Sequence, residues 1–361
     1  MVLLWLPTTD AIFHIDWTLA RSENRALAKF PQPPQGWQNV QPYVAGLEAY
    51  FNDHFGCRKC LVQWNNKLRW WAFDDKNSEV LVGKDGWMFT TGAQMIDHYS
   101  GLLQFTPDQL HDWQVLLEKR RDWLAQRGIS YLFVVAPDKQ TIYPEGLPDW
   151  VTKVSPQTKM DQFFTYMREH STVPVLDLRN AVLAGKKSNP TFWKTDTHWN
   201  FFGSFLAYQE VVRALAKEVP AMKLEPMPFS DFNLSTQLQA GGDLARILGL
   251  SLSESNAYTL SPKPGLPLFT TKLAPPDRQI EPKFSYTPSA KGSLIVFQDS
   301  FGLSWMDFLA YNFHQVTYLW QYDLDPAWIE REKPDIVVNE MVERFFDTKD
   351  PKKLMAKEAL N

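Results

Sequence analysis

Cysteine is nearly absent from this 361-residue chain, which holds only Cys57 and Cys60, in the run Phe-Gly-Cys-Arg-Lys-Cys. A structural zinc site draws on four ligands, and only His54 lies near the pair, so that reading is set aside. A thioredoxin-like pair follows a strand in a βαβ unit, whereas the surroundings here have helical spacing. A local disulfide or two spectator thiols remain open. A charge surplus is missing too, since 37 Lys and Arg face 41 Asp and Glu for a net charge of −4. Nucleic acid is thereby excluded as the main partner, because phosphate binding calls for a basic excess and the chain has no dense basic block. Long apolar runs are also lacking. The opening run, Val2 to Leu6, falls far short of the roughly 20 residues of a spanning helix and lacks the regions of a complete signal peptide. Residues 1–7 are compatible with the clipped end of a longer anchor.

Aromatics are plentiful: 15 Trp, 12 Tyr and 24 Phe. Most must be core, and some can floor a sugar-binding groove, which hints at a carbohydrate partner. With 44% hydrophobic and 22% charged residues, a sizeable core is assured and intrinsic disorder is excluded. The length allows one large or two ordinary domains.

Residues 1–40 read as an extended segment, because Phe30-Pro31-Gln32-Pro33-Pro34-Gln35-Gly36 sustains neither helix nor ladder. From Tyr43 to about Phe73 the apolar residues recur at helical spacing. Val80-Leu81-Val82 and Trp87-Met88-Phe89 around Gly-Lys-Asp-Gly predict a hairpin. Thr106-Pro107-Asp108-Gln109 opens a helix, with Thr as cap, Pro first and Gln three beyond the cap, and Gly128 stops it. Strands are expected at 129–136, 173–178, 293–297, 316–319 and 335–338, and helices at 156–170 and 200–217. Short apolar strands alternating with amphipathic helices predict an α/β domain with a mainly parallel sheet over 41–361. The Pro-, Ser- and Thr-rich stretch at about 220–290 reads as a long excursion from that sheet, with small strands as an option.

Two segments can carry chemistry. Lys194-Thr195-Asp196-Thr197-His198-Trp199-Asn200 precedes a helix, and Leu294-Ile295-Val296-Phe297-Gln298-Asp299-Ser300-Phe301-Gly302 is an apolar strand broken at Asp-Ser. A serine just after a buried parallel strand lies where open α/β folds bind ligands, and its N–H can stabilise developing negative charge. Serine needs a base, which His198 can be, and the base needs an orienting acid, which Asp196 can be. Asp299 is a rival orienting group. Plainer readings exist: Ser300 as a helix cap, His198 as an ordinary histidine, Trp199 as core and Asn200 as an N-cap. Asp196 and His198 have no third His or Cys close by, so no metal is expected.

Together the two segments resemble the AlgJ/AlgX family of SGNH-hydrolase-like exopolysaccharide O-acetyltransferases. The resemblance extends to Asn24-Arg25, Tyr50-Phe51-Asn52-Asp53-His54-Phe55 and Gly83-Lys84-Asp85-Gly86-Trp87-Met88-Phe89. It continues through Pro137-Asp138-Lys139, Ile142-Tyr143-Pro144, Gly242-Asp243-Leu244-Ala245, Pro334-Asp335-Ile336-Val337-Val338 and Glu343-Arg344-Phe345. It implies a circularly permuted SGNH-hydrolase-like three-layer fold, with Asp196 and His198 as the base dyad and Ser300 as nucleophile. The Gly and Asn oxyanion blocks of ordinary SGNH hydrolases are not legible. Asn339, Arg344, Tyr143 and Lys139 are therefore the candidates for the oxyanion or substrate pocket beside the Ser300 N–H. Arg344 alternatively pairs with a neighbouring element, and Tyr143 alternatively covers the sheet.

With little chain beyond Phe346, no separate carbohydrate-binding domain is expected, as in the AlgJ-like form. The resemblance further implies acetyl transfer to a polysaccharide of the alginate kind, a donor supplied through a membrane-bound O-acyltransferase, no cofactor, and a periplasmic or extracytoplasmic location. A polysaccharide esterase and a non-catalytic carbohydrate-binding subunit are the alternatives.

Overall fold

The computed structural model describes residues 28–34, 40–53, 79–272, 281–358 and 360. Expectations for Asn24-Arg25, for Cys57 and Cys60, and for the helical spacing beyond Asp53 lie outside the described residues. Among those described, residues 28–34 are irregular and are followed by helix α1 (Val40–Asp53), on whose Tyr50 the Phe30 ring packs edge-on at 5.1 Å. Strands β1 (Val80–Val82) and β2 (Met88–Thr90) form the expected hairpin, with Val80 opposite Thr90.

A short helix, α2 (Met95–Ser100), leads to α3 (Pro107–Ala125), whose start is a reciprocal cap. Thr106 Oγ1 accepts from the Gln109 N–H at 3.2 Å, and Gln109 Oε1 accepts from the Thr106 N–H at 3.0 Å. Gly128, at φ +71°, lets the chain reverse into strand β3 (Ser130–Ala136). Then come α4 (Lys139–Ile142), α5 (Lys159–His170), β4 (Val175–Asp177), α6 (Arg179–Lys186) and α7 (Phe201–Glu218). Beyond them lie β5 (Phe232–Ala240), α8 (Asp243–Ile247), β6 (Ser253–Pro262), β7 (Thr270–Lys272) and β8 (Lys283–Tyr286). The chain closes with β9 (Ser293–Gln298), α9 (Met306–Leu309), β10 (Gln315–Trp320), α10 (Pro326–Glu332), β11 (Ile336–Val342) and α11 (Pro351–Glu358).

The central sheet has the order β4-β3-β11-β9-β10-β8-β7, parallel from β4 through β10 and antiparallel at β8 and β7. Its strands read as continuous apolar runs because both faces are covered. Leu132, Val134, Leu294, Val296 and Val338 face a core shared with Phe205, Tyr208 and Val212 of α7. Tyr131, Phe133, Ile295, Phe297 and Val337 face the opposite core, with Trp113 and Leu117 of α3 and Phe163 of α5. Burying each such side chain contributes about 1.5–3 kcal/mol, which makes this sandwich the main source of stability.

The 220–290 stretch is only partly an excursion. β5 and β6 pair as a separate ribbon, but β8 pairs with β10 and β7 with β8, so the stretch returns to finish the sheet edge. Among the described residues no helix is long and apolar enough to cross a membrane.

Candidate active site

The parallel strands run from β3 outward to β4 on one side and from β9 outward to β10 on the other, with β11 between them. Strand order therefore reverses at the middle of the sheet, and a crevice opens there beyond the C-terminal strand ends. Three connections reach that edge: Pro137-Asp138-Lys139 after β3, Asp299-Ser300-Phe301 after β9, and Glu343-Arg344 after β11.

His198 arrives on the connection between α6 and α7. That loop is pinched at its base by a Phe192–Trp199 bridge and by the Asn200 N–H donating to Thr191 O at 2.9 Å. Asn200 caps α7, its Oδ1 accepting from the Gly203 N–H at 2.9 Å while its Nδ2 donates to Pro190 O at 2.6 Å. A Cβ at position 203 would lie 2.2 Å from Thr191 O, so only glycine allows the helix to start this close to the loop.

Within the loop, Asp196 Oδ1 accepts from the His198 backbone N–H at 3.0 Å and from Nδ1 at 2.7 Å. Asp196 Oδ2 accepts from the Asp243 N–H at 2.9 Å. Burial alone would raise this carboxyl, but the His198 bond and charge, with the two N–H donors, hold it well below the usual carboxylate range. A proton held on Nδ1 leaves the lone pair on Nε2, the form a general base needs. Nε2 is buried and has no hydrogen-bond partner among the described residues.

The Ser300 turn lies directly against this histidine. The Phe301 ring is 5.1 Å from the imidazole and 5.0 Å from Trp199, and Trp199 Nε1 donates to Phe301 O at 3.2 Å and to Ser304 Oγ at 2.8 Å. Trp199 is thus a core residue that locks the two segments together. The Ser300 backbone N–H donates to nothing among the described residues, and its hydroxyl makes no hydrogen bond to His198. Asp299 is not an orienting group for His198. Its Oδ1 accepts from the Phe301 N–H at 2.8 Å, and its Oδ2 accepts from the Val342 N–H and Tyr322 OH, each at 3.0 Å.

The four expected pocket residues separate. Asn339 is not at the crevice. Side chains alternate along β11, and its neighbours Val338 and Glu340 take the site side. Asn339 Oδ1 instead accepts from Arg120 Nη1 at 2.6 Å and Tyr131 OH at 3.3 Å in the opposite core. Lys139 is buried, and its Nζ donates to Trp193 O, Lys194 O and Asp196 O at 3.1, 3.1 and 2.5 Å. All three ammonium protons are engaged, so none is left for an oxyanion. Tyr143 stacks on Trp87 at 4.1 Å, and its hydroxyl accepts from the Thr191 N–H at 2.8 Å, so it braces the loop base. Arg344 does reach the site: its guanidinium lies 5.2 Å from the Phe301 ring centre while Nη1 pairs with Asp138.

Contacts that spacing could not reveal complete the loop. Asp243 Oδ1 accepts from the Thr197 N–H at 2.7 Å, and its Oδ2 lies 3.8 Å from His198 Nδ1. A Cβ on Gly242 would sit 2.3 Å from Asp196 Cβ, so glycine is needed for that approach. Glu254 accepts from the Lys194 and Thr195 N–H groups and, at 2.6 Å, from Thr195 Oγ1. The Gly242-Asp243 pair is visible in the sequence as a motif without a role; Glu254 carries no signal there. Asp196, His198 and Asp243 bring potential metal-ligand atoms within 4.8 Å of one another. An ion taking His198 Nδ1 as its ligand would have to break the Asp196–His198 bond.

Residues 80–277 match the family model for the SGNH hydrolase-like domain, acetyltransferase AlgX. That span holds the Asp196 loop and its Asp243 and Glu254 partners and stops before Ser300. A probable alginate O-acetylase AlgJ of Pseudomonas syringae pv. tomato is 28% identical over 222 residues, covering 62% of this chain and 54% of that protein. Its Pseudomonas aeruginosa counterpart is 26% identical over 214 residues, covering 56% and 50%. The chain spans about half the length of the curated relatives it matches. Among solved structures, Bacillus cereus PatB1 with a sulfonyl adduct superposes with a TM-score of 0.58 at 15% identity, over 77% of this chain and 98% of that one. A DHHW family protein from Eubacterium siraeum gives 0.52 at 14%, over 70% and 90%. These two likenesses establish the fold. With its matched span covering more than half its length, the chain belongs to the AlgX acetyltransferase family, built on an SGNH hydrolase-like domain.

Proposed function

We propose that residues 41–361 act as one catalytic domain that carries an acetyl group on Ser300 and passes it to a hydroxyl of an alginate-like exopolysaccharide. The observation that carries the reading is the state of His198. Its Nδ1 is held by Asp196 at 2.7 Å, and its buried Nε2, beside the turn that bears Ser300, has no hydrogen-bond partner among the described residues.

In the first half-reaction Ser300 Oγ attacks the carbonyl carbon of the acetyl donor while Nε2 takes the hydroxyl proton. The free Ser300 N–H donates to the oxyanion. Collapse expels the donor's leaving group, which receives the proton from His198, and leaves an acyl-serine. A sugar hydroxyl then gives its proton to Nε2, attacks the acyl carbon and departs acetylated, and the proton returns to Ser300. Arg344 is the cation available beside this chemistry. A Ser–His hydrogen bond that is open in the unliganded protein commonly closes on substrate binding. These steps use side chains and backbone alone. A polysaccharide acceptor belongs to the same proposal, supported by the alginate O-acetylase names of the relatives; a donor fed by a membrane-bound O-acyltransferase and a periplasmic location join it on the family resemblance alone.

The test supplies an activated acetyl ester and an oligosaccharide acceptor and reads product masses. The expected product is acetylated oligosaccharide, formed about 10²–10⁴-fold more slowly by His198→Ala. Free acetate with an untouched acceptor would reassign the chain as an esterase. No ester turnover at all would leave a carbohydrate-binding subunit.

A further inference from the structure

Lys139 is a buried lysine whose role the mechanism above does not include. It is 2% exposed, at the start of α4 just beyond β3. Among the described residues no carboxylate oxygen comes within ion-pair distance of its Nζ. Its partners are three backbone carbonyls of one loop, Trp193, Lys194 and Asp196. The Trp87 and Phe89 rings, at 5.8 and 5.5 Å, wall the ammonium off from water. Lys194 O also accepts from the Met88 N–H at 2.9 Å, but among the described residues Lys139 is the donor to Trp193 O and Asp196 O, two carbonyls that would be costly to leave without one. A single ammonium is the side-chain group that offers three protons from one atom.

We propose that Lys139 is a positioning residue, whose ammonium ties down the 193–196 backbone so that Asp196 presents Oδ1 to His198. The third carbonyl is that of Asp196 itself, so the tie acts on the residue that orients the base. Glu254 and Asp243 hold the same loop through its N–H groups, and Lys139 holds its carbonyls together with the Met88 N–H on Lys194 O and the Leu244 and Ala245 N–H groups on Thr195 O. The groups facing Lys139 are the carboxylates of Asp196, Asp243 and Glu254, with the Lys194 ammonium 5.7 Å from the centre of the Trp87 ring. Burial lowers the Lys139 pKa to about 7 against the pull of those three carboxylates. Loss of its proton leaves two N–H donors for three carbonyls.

This role rests on the functional reading above, and its test has one arm that does not need activity. Lys139→Met and Lys139→Arg are made in the full chain, and amide hydrogen exchange is followed across peptides covering 193–200. The Met variant is expected to exchange faster in that loop alone, and the Arg variant, which keeps charge and several donors, to stay closer to wild type. Exchange at the wild-type rate in the Met variant would overturn the proposal whether or not the wild type turns over ester. Should the Met variant fail to fold, Lys139→Gln, which keeps two N–H donors, decides: faster exchange in the loop alone supports the tie, and exchange at the wild-type rate refutes it. In the kinetic arm, kcat for an activated acetyl ester is expected to fall on the order of 10²-fold in the Met variant with KM nearly unchanged, as for a misplaced catalytic group. A raised KM with unchanged kcat would mean that Lys139 contacts substrate instead.

Discussion

Asp196 spends each carboxylate oxygen differently. Oδ1 serves His198, and Oδ2 is occupied by the Asp243 N–H, so the carboxylate cannot rotate away from the imidazole without losing a bond. Asp196→Asn keeps the shape but can turn an amide NH2 toward Nδ1, which then must accept, and the ring proton moves to Nε2. A base protonated at Nε2 cannot take the Ser300 proton. Ester turnover by Asp196→Asn is expected to fall by about 10⁴-fold, the scale seen when a triad acid is neutralised; turnover at the wild-type rate would remove Asp196 from the dyad. The same pair carries a stability signature. Because folding lowers this carboxyl's pKa, its stabilisation is complete above the unfolded value of about 4. It is lost as pH falls through the lower folded value. The stability gap between wild type and Asp196→Asn should therefore narrow as denaturation is repeated from neutral pH down into acid.

Helix α7 shows how one element sets the site. Its Asn200 cap, its first-turn Gly203 and the pinch at Phe192–Trp199 hold the His198 loop at the end of the sheet. Intrinsic propensity favours alanine over glycine in a helix by about 1 kcal/mol. Here the sign reverses, because the added Cβ would meet Thr191 O at 2.2 Å. Gly203→Ala is expected to lower stability by about 1–3 kcal/mol, as overpacking does, and to slow turnover as the loop shifts. A raised melting temperature would contradict this account. The helix itself was legible from Asn200 onward because Phe205, Tyr208, Val212 and Leu215 repeat at helical spacing on its buried face. The same holds for α3, whose cap residues read directly from Thr106 and Gln109. Helix α6 was not legible, since Val182 is its one fully buried residue and leaves no stripe to detect. The bounds and pairing of the β5–β6 ribbon escaped for the same reason: residues 235–240 are largely exposed, and alternation is written only where one face is buried.

At the scale of the whole molecule, the site is a meeting of segments far apart in sequence. Asp196 and His198 stood out because their spacing of two can be read locally, and Ser300 because it ends a buried strand. What holds them could not be read that way. Asp243 and Glu254 reach the loop from either side of the β5–β6 base, and Lys139 comes from the end of β3. Asn339 was misplaced for a related reason: it lies on the right strand, but which face it takes depends on register. Opposite the site, Arg120, Asn339 and Glu358 form a buried network that fastens the C-terminal helix α11 to the sheet. The central claim is that folding brings Ser300 to the Asp196–His198 pair as an acylatable nucleophile. Intact-mass measurement after brief exposure to an activated acetyl ester tests it most directly. The account predicts a single acetyl adduct that maps to Ser300 and is missing in Ser300→Ala. An adduct that persists in Ser300→Ala, or ester turnover that does not change when Ser300 is removed, would contradict it.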